Sequence, residues 1–313
     1  MRKKILNVIA CPRCRSELDV EIQERDHREI RTGVLRCNEG RHCYAVENGI
    51  VHLATGFDHE AVQKEIAYEN SSYQGDRRLK DVSIVSRFPE TLPELWPHVS
   101  NFGPDFRGLV DHLDIAPDSW VLDVGTAACW TSRLLAERGA NVIALDVNAA
   151  EWYGLRAADI LFATYPVYFE RVLESMTHLP FRDASIDYIT FNASLHHTPD
   201  LSRTLQECRR VLKPTGIVAM VNEELVSVRH RYFFRSRNHT DLGSHHEILC
   251  SELKRAARAA AFAATYHLTR HLKEALQFRL GIKAAQTFAN CFECFPWLVN
   301  QMNSVLVVLR PLS

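Results

Sequence analysis

The chain has no run of the ~18–20 apolar residues that a membrane-spanning helix needs, and its 313 residues carry a formal net charge of only −1. The first absence excludes a transmembrane span. The second removes the whole-molecule positive field that marks many nucleic-acid binders. No stretch interleaves aromatic and basic residues in the manner of single-stranded RNA recognition. At the N-terminus, Met1-Arg2-Lys3-Lys4 precedes an apolar stretch, Ile5 to Ala10, too short for a secretory signal, so a cytoplasmic address is expected. Nine cysteines, an odd number, include Cys129, Cys208 and Cys250 inside apolar segments. That pattern argues against a disulfide framework and for a reducing compartment. What is present is ordinary for a globular protein, with 46% hydrophobic and 24% charged residues. The length suits two domains, or one with an elaborate extension. One local imbalance stands out: from Leu225 to Arg258, seven Lys/Arg face three acids, which suits either a solvated loop or contact with an anionic substrate.

The first chemical motif is Cys11-Pro12-Arg13-Cys14, followed by Cys37 and Cys43 after a polar, strand-like stretch. Two pairs of thiolates at this spacing suit tetrahedral, structural zinc, and a proline-containing turn lets the first two sulfurs face one ion. So small a module has little core of its own and is expected to fold on its metal, serving docking rather than chemistry. A second C-x2-C, Cys291 to Cys294, lies among Phe292, Phe295 and Trp297 and reads as core cysteine.

Residues 57–118 form a proline-broken linker, with helices expected around Glu60–Tyr68 and Phe106–Leu113. Its aromatics, Tyr68, Tyr73, Phe88, Trp96 and Phe102, suit either a lid or packing onto the main domain. From Trp120 the pattern alternates. Strands are predicted at Trp120–Val124, Val142–Leu145, Ile186–Phe191, Ile217–Val221 and Ser304–Leu309, with helices at Trp130–Arg138 and Leu201–Leu212. This alternation implies an α/β, Rossmann-like doubly wound sheet. Ligands of such sheets bind at the carboxyl ends of the strands, which gathers Asp123 to Thr126, Asp146 and Phe191 to Ser194 around one crevice. Asp146 follows Gly125 by 21 residues, close to the ~20-residue offset of a ribose-binding acid.

Val121 to Asn148, VLDVGTAACWTSRLLAERGANVIALDVN, resembles the first two motifs of class I S-adenosylmethionine (SAM) methyltransferases, a seven-strand Rossmann-like family. Leu179 to Glu224 resembles their fourth and fifth motifs: Leu-Pro-Phe, an acidic turn, a strand, His-His, then a helix ending in Arg-Val-Leu-Lys-Pro-x-Gly. His246 to Phe262 looks like the family's helix that closes on Ala-Gly-Phe. The resemblance implies that Asp123, Gly125, Thr126 and Ala127 line the cofactor and that Asp146 holds its ribose. It places Val147 and Met176 beside the adenine, and Asn192 at the strand end facing the methyl group. Ser175 occupies the place of a family acid. The glycine pattern G-x-G-x-G reads here Gly125-Thr126-Ala127-Ala128-Cys129, with one glycine kept. Residues 1–56 resemble zinc-ribbon proteins that partner tRNA and protein methyltransferases, and the ribbon fused to some rRNA guanine methyltransferases. In those ribbons the second ligand pair is close, whereas Gly40 stands at the near position here, so either His42 or Cys43 supplies the fourth ligand beside Cys11, Cys14 and Cys37, or the ribbon is a metal-free relic.

These expectations divide the chain into a zinc-ribbon-like module (1–56), a helical linker or lid (57–118) and a SAM-binding domain (119–313). Methyl transfer needs an aligned, unprotonated acceptor. His196 and His197 are the first candidates for the base, with His245 and His246 second. No Asn-Pro-Pro-Tyr follows the fourth strand, which argues against methylation of exocyclic amines. The expected activity is O- or N-methylation of a small or glycan/lipid-linked acceptor. The alternatives are an RNA methyltransferase that docks through the ribbon, and a non-catalytic binding module with an altered glycine turn. The sequence does not specify the oligomeric state.

Overall fold

A computed structural model describes residues 1–54, 76–226, 247–269 and 305–312, with single positions between them. The N-terminal region supplies four strands: β1 (Leu18–Arg25), β2 (Ile30–Cys37), β3 (Cys43–Glu47) and β4 (Ile50–His52). Helix α1 (Phe102–Leu113) leads into the alternating region. There follow β5 (Trp120–Val124), α2 (Trp130–Ala136), β6 (Asn141–Asp146), α3 (Ala158–Thr164), β7 (Glu170–Leu173), β8 (Ile186–Asn192), α4 (Leu201–Val211) and β9 (Leu212–Val221). A short parallel pair, β10 (Leu225–Val226) with β11 (Ile248–Leu249), precedes α5 (Cys250–Ala259) and the antiparallel β12 (Phe262–Leu268) and β13 (Val305–Pro311).

Eleven of these strands form one sheet in the order β1-β2-β3-β4-β7-β6-β5-β8-β9-β13-β12. Strands β7, β6, β5, β8 and β9 run parallel, and β13 and β12 close the far edge antiparallel. This is the doubly wound arrangement expected from the alternation, with the seven strands that the resemblance implies. β5 lies at its centre with parallel neighbours on both sides, which explains why Val121, Leu122 and Val124 are all buried. Helix α4 is started by Asp200, whose carboxylate accepts the Arg203 N–H at 2.9 Å, and it buries Thr204, Leu205, Cys208 and Val211 along one face. Gly139, in the left-handed region at φ +81°, ends the turn after α2 as expected of a C-cap glycine.

Three elements depart from the sequence expectation. Strand β9 starts at Leu212 rather than Ile217, because Leu212 pairs with Ile186 before the register shifts to Ile217 against Tyr188. Lys213-Pro214-Thr215-Gly216 is the bulge between them, a position in a sheet that tolerates proline. Strand β7 was not predicted, since two of its four residues, Glu170 and Arg171, are charged yet buried. Residues 246–262 contain a helix as expected, but it ends at Ala259 and Phe262 opens strand β12. Of the linker aromatics, Phe88 is fully buried and Phe102 packs against the same core. Tyr73 stacks on Tyr153 at 4.2 Å and meets Trp96 edge-on at 5.4 Å. Of the helix expected around Glu60–Tyr68, the described positions Glu60, Gln63, Lys64, Ile66 and Ala67 are helical; Tyr68 lies outside the described residues, as do His245, His246, Arg229 to Arg237 and Cys291 to Cys294.

The N-terminal strands continue the main sheet. β4 pairs parallel with β7, Ile50 opposite Arg171 and His52 opposite Leu173. Met1, Ile5, Ile9, Leu18, Leu35 and Val46 join the core cluster that contains Leu122, Ile143 and Phe191. A charged cluster sits under this seam. Arg171, fully buried, donates to Glu29 at 2.6 Å, to Asp159 at 3.0 Å and to the Asn48 carbonyl at 2.9 Å. Glu29 also accepts from Arg31 at 2.7 Å and from the Met1 amino group at 2.9 Å. Asn48-Gly49, both at positive φ, make the tight turn from β3 to β4, and a side chain at Gly49 would collide with Glu29 and Arg171.

Glu170 lies beside this cluster and is buried, and burial pushes its carboxyl up to about 7, from an ordinary 4.5. A raised acid binds its proton more tightly in the folded state. It therefore stabilises the fold below the ordinary value, and that contribution is lost as pH rises through the folded value. Relative to Glu170→Gln, the wild-type protein should lose on the order of 2–3 kcal/mol between about pH 4.5 and about pH 7. Urea denaturation of both proteins across that window checks this; superimposable pH profiles would contradict it.

Candidate active site and metal cluster

The carboxyl ends of β5, β6, β7 and β8 meet at one edge of the sheet, and the residues expected to hold a ligand are there. Gly125 takes φ +70°, and a side-chain carbon on it would lie 2.5 Å from the Ser194 Cβ. Glycine is required for the turn after β5 to pass the loop after β8. Ser194 ties the two together by donating to the Val124 carbonyl at 2.7 Å. Ala127 and Cys129 also lie in the left-handed region, at φ +44° and +58°. The backbone thus keeps a glycine-type turn although two glycines are replaced, at a strain of ~1–3 kcal/mol for each such residue. Cys129 is wholly buried, with its Sγ 3.5 Å from the Thr126 hydroxyl. Its side chain points into the core and leaves the outer face of the turn to backbone.

Asp146, at the end of β6, reaches across to this turn. Its Oδ2 accepts the Ala127 N–H at 2.9 Å and its Oδ1 accepts the Asn148 N–H at 2.9 Å. Burial pushes the Asp146 carboxyl up, opposed by the N–H groups of Asn148, Ala127 and Val147 and by nearby His197. Each oxygen keeps acceptor capacity for a further donor. Val147, Met176, Asn192 and His197 are half-buried around the same edge.

Asp123 is placed differently from its expected cofactor-lining role. It is 1% exposed, and both oxygens are taken: Thr131 and Ser132 donate at 2.6 and 2.7 Å, and Thr190 at 2.9 Å. Burial pushes its carboxyl up to about 6 against these three bonds. Asp123 fastens β5 to α2 and β8 beneath the turn. Thr126 and Ser175 are buried too, the latter bonded to the Thr177 hydroxyl at 2.9 Å. The residue before Ser175, Glu174, is a buried acid that donates its N–H to the Asp146 carbonyl at 3.1 Å.

One residue of the site was not singled out from sequence. Glu223, just past the end of β9, accepts the N–H groups of Ser194, Leu195 and His196 at 3.0, 3.0 and 3.1 Å, and the His196 Nδ1 at 2.8 Å. Burial raises its carboxyl, but His196 and the backbone N–H groups outweigh this and hold it below its ordinary value. The ionised carboxylate makes Nδ1 the protonated nitrogen of His196. His196 is 4% exposed and anchors the loop, whereas neighbouring His197 is half-buried. The polar triplet Asn222-Glu223-Glu224 closing an apolar strand was the available signal. Asn222 also bridges, donating to Asn192 at 2.8 Å and accepting from Asn101 at 3.2 Å.

The second cluster is in the N-terminal strands. Cys11, Cys14, Cys37 and His42 place one ligand atom each within 4.8 Å of one another. Of the two alternatives for the fourth position, the structure brings in His42 and corrects Cys43. Cys43 opens β3, whose inward positions are Tyr44 and Val46, so alternation turns Cys43 outward, exposed and 3.4 Å from an Arg36 nitrogen. The His42 Nδ1 lies 3.3 Å from the Cys11 sulfur and 3.6 Å from that of Cys37. Outer groups orient the sulfurs: Tyr44 reaches Cys11 at 3.0 Å and Ser16 reaches Cys14 at 3.1 Å. Three thiols and an imidazole at this separation fit a tetrahedral zinc ion.

A parallel sheet with a glycine-type turn facing an acid at the next strand end defines a Rossmann-like class I methyltransferase fold, here fused to a ribbon. Sequence comparison agrees with both halves. Residues 122–220 match the family described as methyltransferase domain, and residues 2–49 match Trm112p-like protein. The chain therefore carries a class I methyltransferase domain behind a Trm112p-like ribbon. Over 123 residues it is 33% identical to malonyl-[acyl-carrier protein] O-methyltransferase 1 of Coxiella burnetii, covering 38% of this chain and 39% of that protein. Over 143 residues it is 28% identical to the ubiquinone biosynthesis O-methyltransferase of Hahella chejuensis, covering 43% and 58% respectively. The chain thus spans well under two thirds of these relatives. The structure of the Burkholderia thailandensis 1,6-didemethyltoxoflavin-N1-methyltransferase, solved with S-adenosylhomocysteine, superposes with TM-score 0.50 at 15% identity, over 94% of this chain and 100% of that one. At that identity the likeness is one of fold.

Proposed function

We propose that the protein transfers a methyl group from SAM to a small or glycan/lipid-linked acceptor, at oxygen or nitrogen. The observation that carries this reading is the bond from the Ala127 N–H to Asp146 at 2.9 Å, which joins the glycine-type turn to the acid that would hold the ribose. When bound, the cofactor supplies the electrophilic methyl on its sulfonium. The chain's own residues do the rest. Asp146 would accept the ribose hydroxyls, the backbone of Gly125 to Ala127 would line the cofactor, and Val147 and Met176 would flank its base. Asn192, steadied by Asn222, lies at the acceptor side. His197 is the better placed of the two candidate bases, because His196 is committed to Glu223. In this reading residues 119–313 form the methyltransferase domain, 57–118 its linker, and 1–56 an accessory ribbon that holds zinc through Cys11, Cys14, Cys37 and His42.

The match of residues 2–49 to Trm112p-like protein favours a second reading, methylation of RNA docked on the ribbon. RNA binding depends on phosphate neutralisation and weakens steeply with salt. With a net charge of −1, the protein should bind total cellular RNA weakly at physiological ionic strength. Incubation with methyl-labelled SAM and a cell extract should put label into the small-molecule fraction. Label confined to RNA, together with submicromolar, salt-sensitive filter binding, would replace the first reading with the second.

A further inference from the structure

At the opposite edge of the sheet, where β5, β6 and β7 begin, lies a cavity of about 460 Å³ between the ribbon and the main domain. Arg2, Lys4 and Arg28 enter it from the ribbon, and Trp120, Val142 and Tyr165 from the domain. A five-residue strand separates it from the glycine turn by roughly 15 Å, so it is distinct from the cofactor crevice.

Its two guanidiniums are fixed in place without being neutralised. The Arg2 guanidinium lies 3.7 Å over the Tyr168 ring, and its Nε donates to the Arg28 carbonyl at 3.1 Å. The Arg28 guanidinium sits 5.4 Å from the Phe162 ring centre and donates to the Phe162 carbonyl at 2.9 Å. Asp26 pins the Arg28 backbone by accepting the N–H groups of Arg28 and Glu29 at 2.7 and 2.8 Å. Neither arginine forms an ion pair among the described residues. Lys4 donates to Asn141 at 2.7 Å, lies 5.9 Å from the Trp120 ring centre and pairs with the exposed Asp118 at 3.6 Å, an ion pair open to solvent. The one acid in the wall, Glu170, is occupied by the Arg2 backbone N–H at 3.0 and 3.1 Å and by the Tyr168 hydroxyl at 3.0 Å.

Guanidiniums held on aromatic faces keep their remaining N–H groups in a preset plane, the geometry that recognises phosphate bidentately. Little side-chain entropy is then left to lose on binding. The volume exceeds what a phosphate ion alone occupies and falls in the range of organic-ligand pockets. The apolar wall of Trp120 and Val142 calls for a flat organic body beside the anion. We propose that this cavity binds a phosphate monoester that carries a planar ring, the phosphate held by Arg2, Lys4 and Arg28 and the ring against Trp120.

Calorimetry with uridine 5′-monophosphate tests this, with uridine and inorganic phosphate as the two halves. The nucleotide should bind at least about tenfold more tightly than either half. Arg28→Gln and Trp120→Ala should each weaken it by about tenfold, while Asp146→Ala, in the other crevice, leaves it unchanged. Circular dichroism of each variant confirms the fold, and Arg28→Lys should recover part of the loss if charge is what matters. The proposal fails if no binding is seen at about 10 mM, if Arg28→Gln has no effect, or if Asp146→Ala abolishes the binding. It fails equally if oligouridylate binds far more tightly than the mononucleotide with steep salt dependence, which would make the cavity part of an RNA track.

Discussion

Arg171→Ala should destabilise the protein by about 3–5 kcal/mol, as removal of one partner from a buried ion pair does. Arg171 is fully buried in β7 and makes two bonds that join the main sheet to the ribbon, to Glu29 and to the Asn48 carbonyl, with a third to Asp159 on α3. Without it Glu29, with a side chain 1% exposed, keeps Arg31, the Met1 amino group and the Tyr168 hydroxyl as donors. Burial raises the Glu29 carboxyl and the adjacent positive charges more than reverse that, which gives a net lowering that Arg171 leads. Arg171→Lys keeps the charge but loses the fork and should recover only part of the loss. Urea unfolding of the three proteins measures this. A loss below about 1 kcal/mol for the alanine variant would mean that the seam is held by apolar packing and strand pairing alone.

The second large effect concerns the metal cluster. Protein purified without chelator should contain one zinc per chain, lost on Cys11→Ser and on His42→Ala but retained on Cys43→Ser. Structural zinc contributes ~10 kcal/mol or more to small domains that have no other core. Here Ile5, Ile9, Leu18 and Leu35 already share the core of the main domain. Stripping the metal should therefore melt β1 to β3 while the parallel strands persist. Hydrogen exchange resolves the two regions. Zinc loss on Cys43→Ser with retention on His42→Ala would reverse the ligand assignment.

The sequence announced the parallel core because β5, β6 and β8 are rich in Val, Ile, Leu and Phe and carry Asp123, Asp146 and Asn192 at or next to their carboxyl ends. The same rule found Gly125, Asp146 and Asn192 at that edge. It failed at β7, where Glu170 and Arg171 hide a buried strand: Glu170 is met by the Arg2 N–H and Arg171 by Glu29 and Asp159, residues remote in sequence or on another element. The pairing of Ile50 with Arg171 was equally invisible, since it joins segments that only the folded sheet brings together. Cys43 was a matter of phase. Its spacing from Cys37 is plausible, but strand alternation turns it outward and His42, in the turn just before, inward. Asp123 carried the right motif and a different task, because Thr131, Ser132 and Thr190 reach it first. Replacement of two glycines left the turn recognisable in the fold, with Ala127 and Cys129 held at positive φ.

Calorimetric titration with S-adenosylhomocysteine tests the central claim most directly, because it asks only whether the Ala127–Asp146 junction receives the cofactor. The account predicts one site per chain in the wild-type protein. It also predicts that Asp146→Ala, which removes charged acceptors for the ribose hydroxyls, weakens binding by about 1.5–3 kcal/mol. Cys43→Ser and Arg28→Gln, remote from the crevice, should bind as the wild type does. Absence of binding by the wild-type protein at millimolar ligand, with its fold verified, would contradict the account and leave the domain a methyltransferase fold without its cofactor.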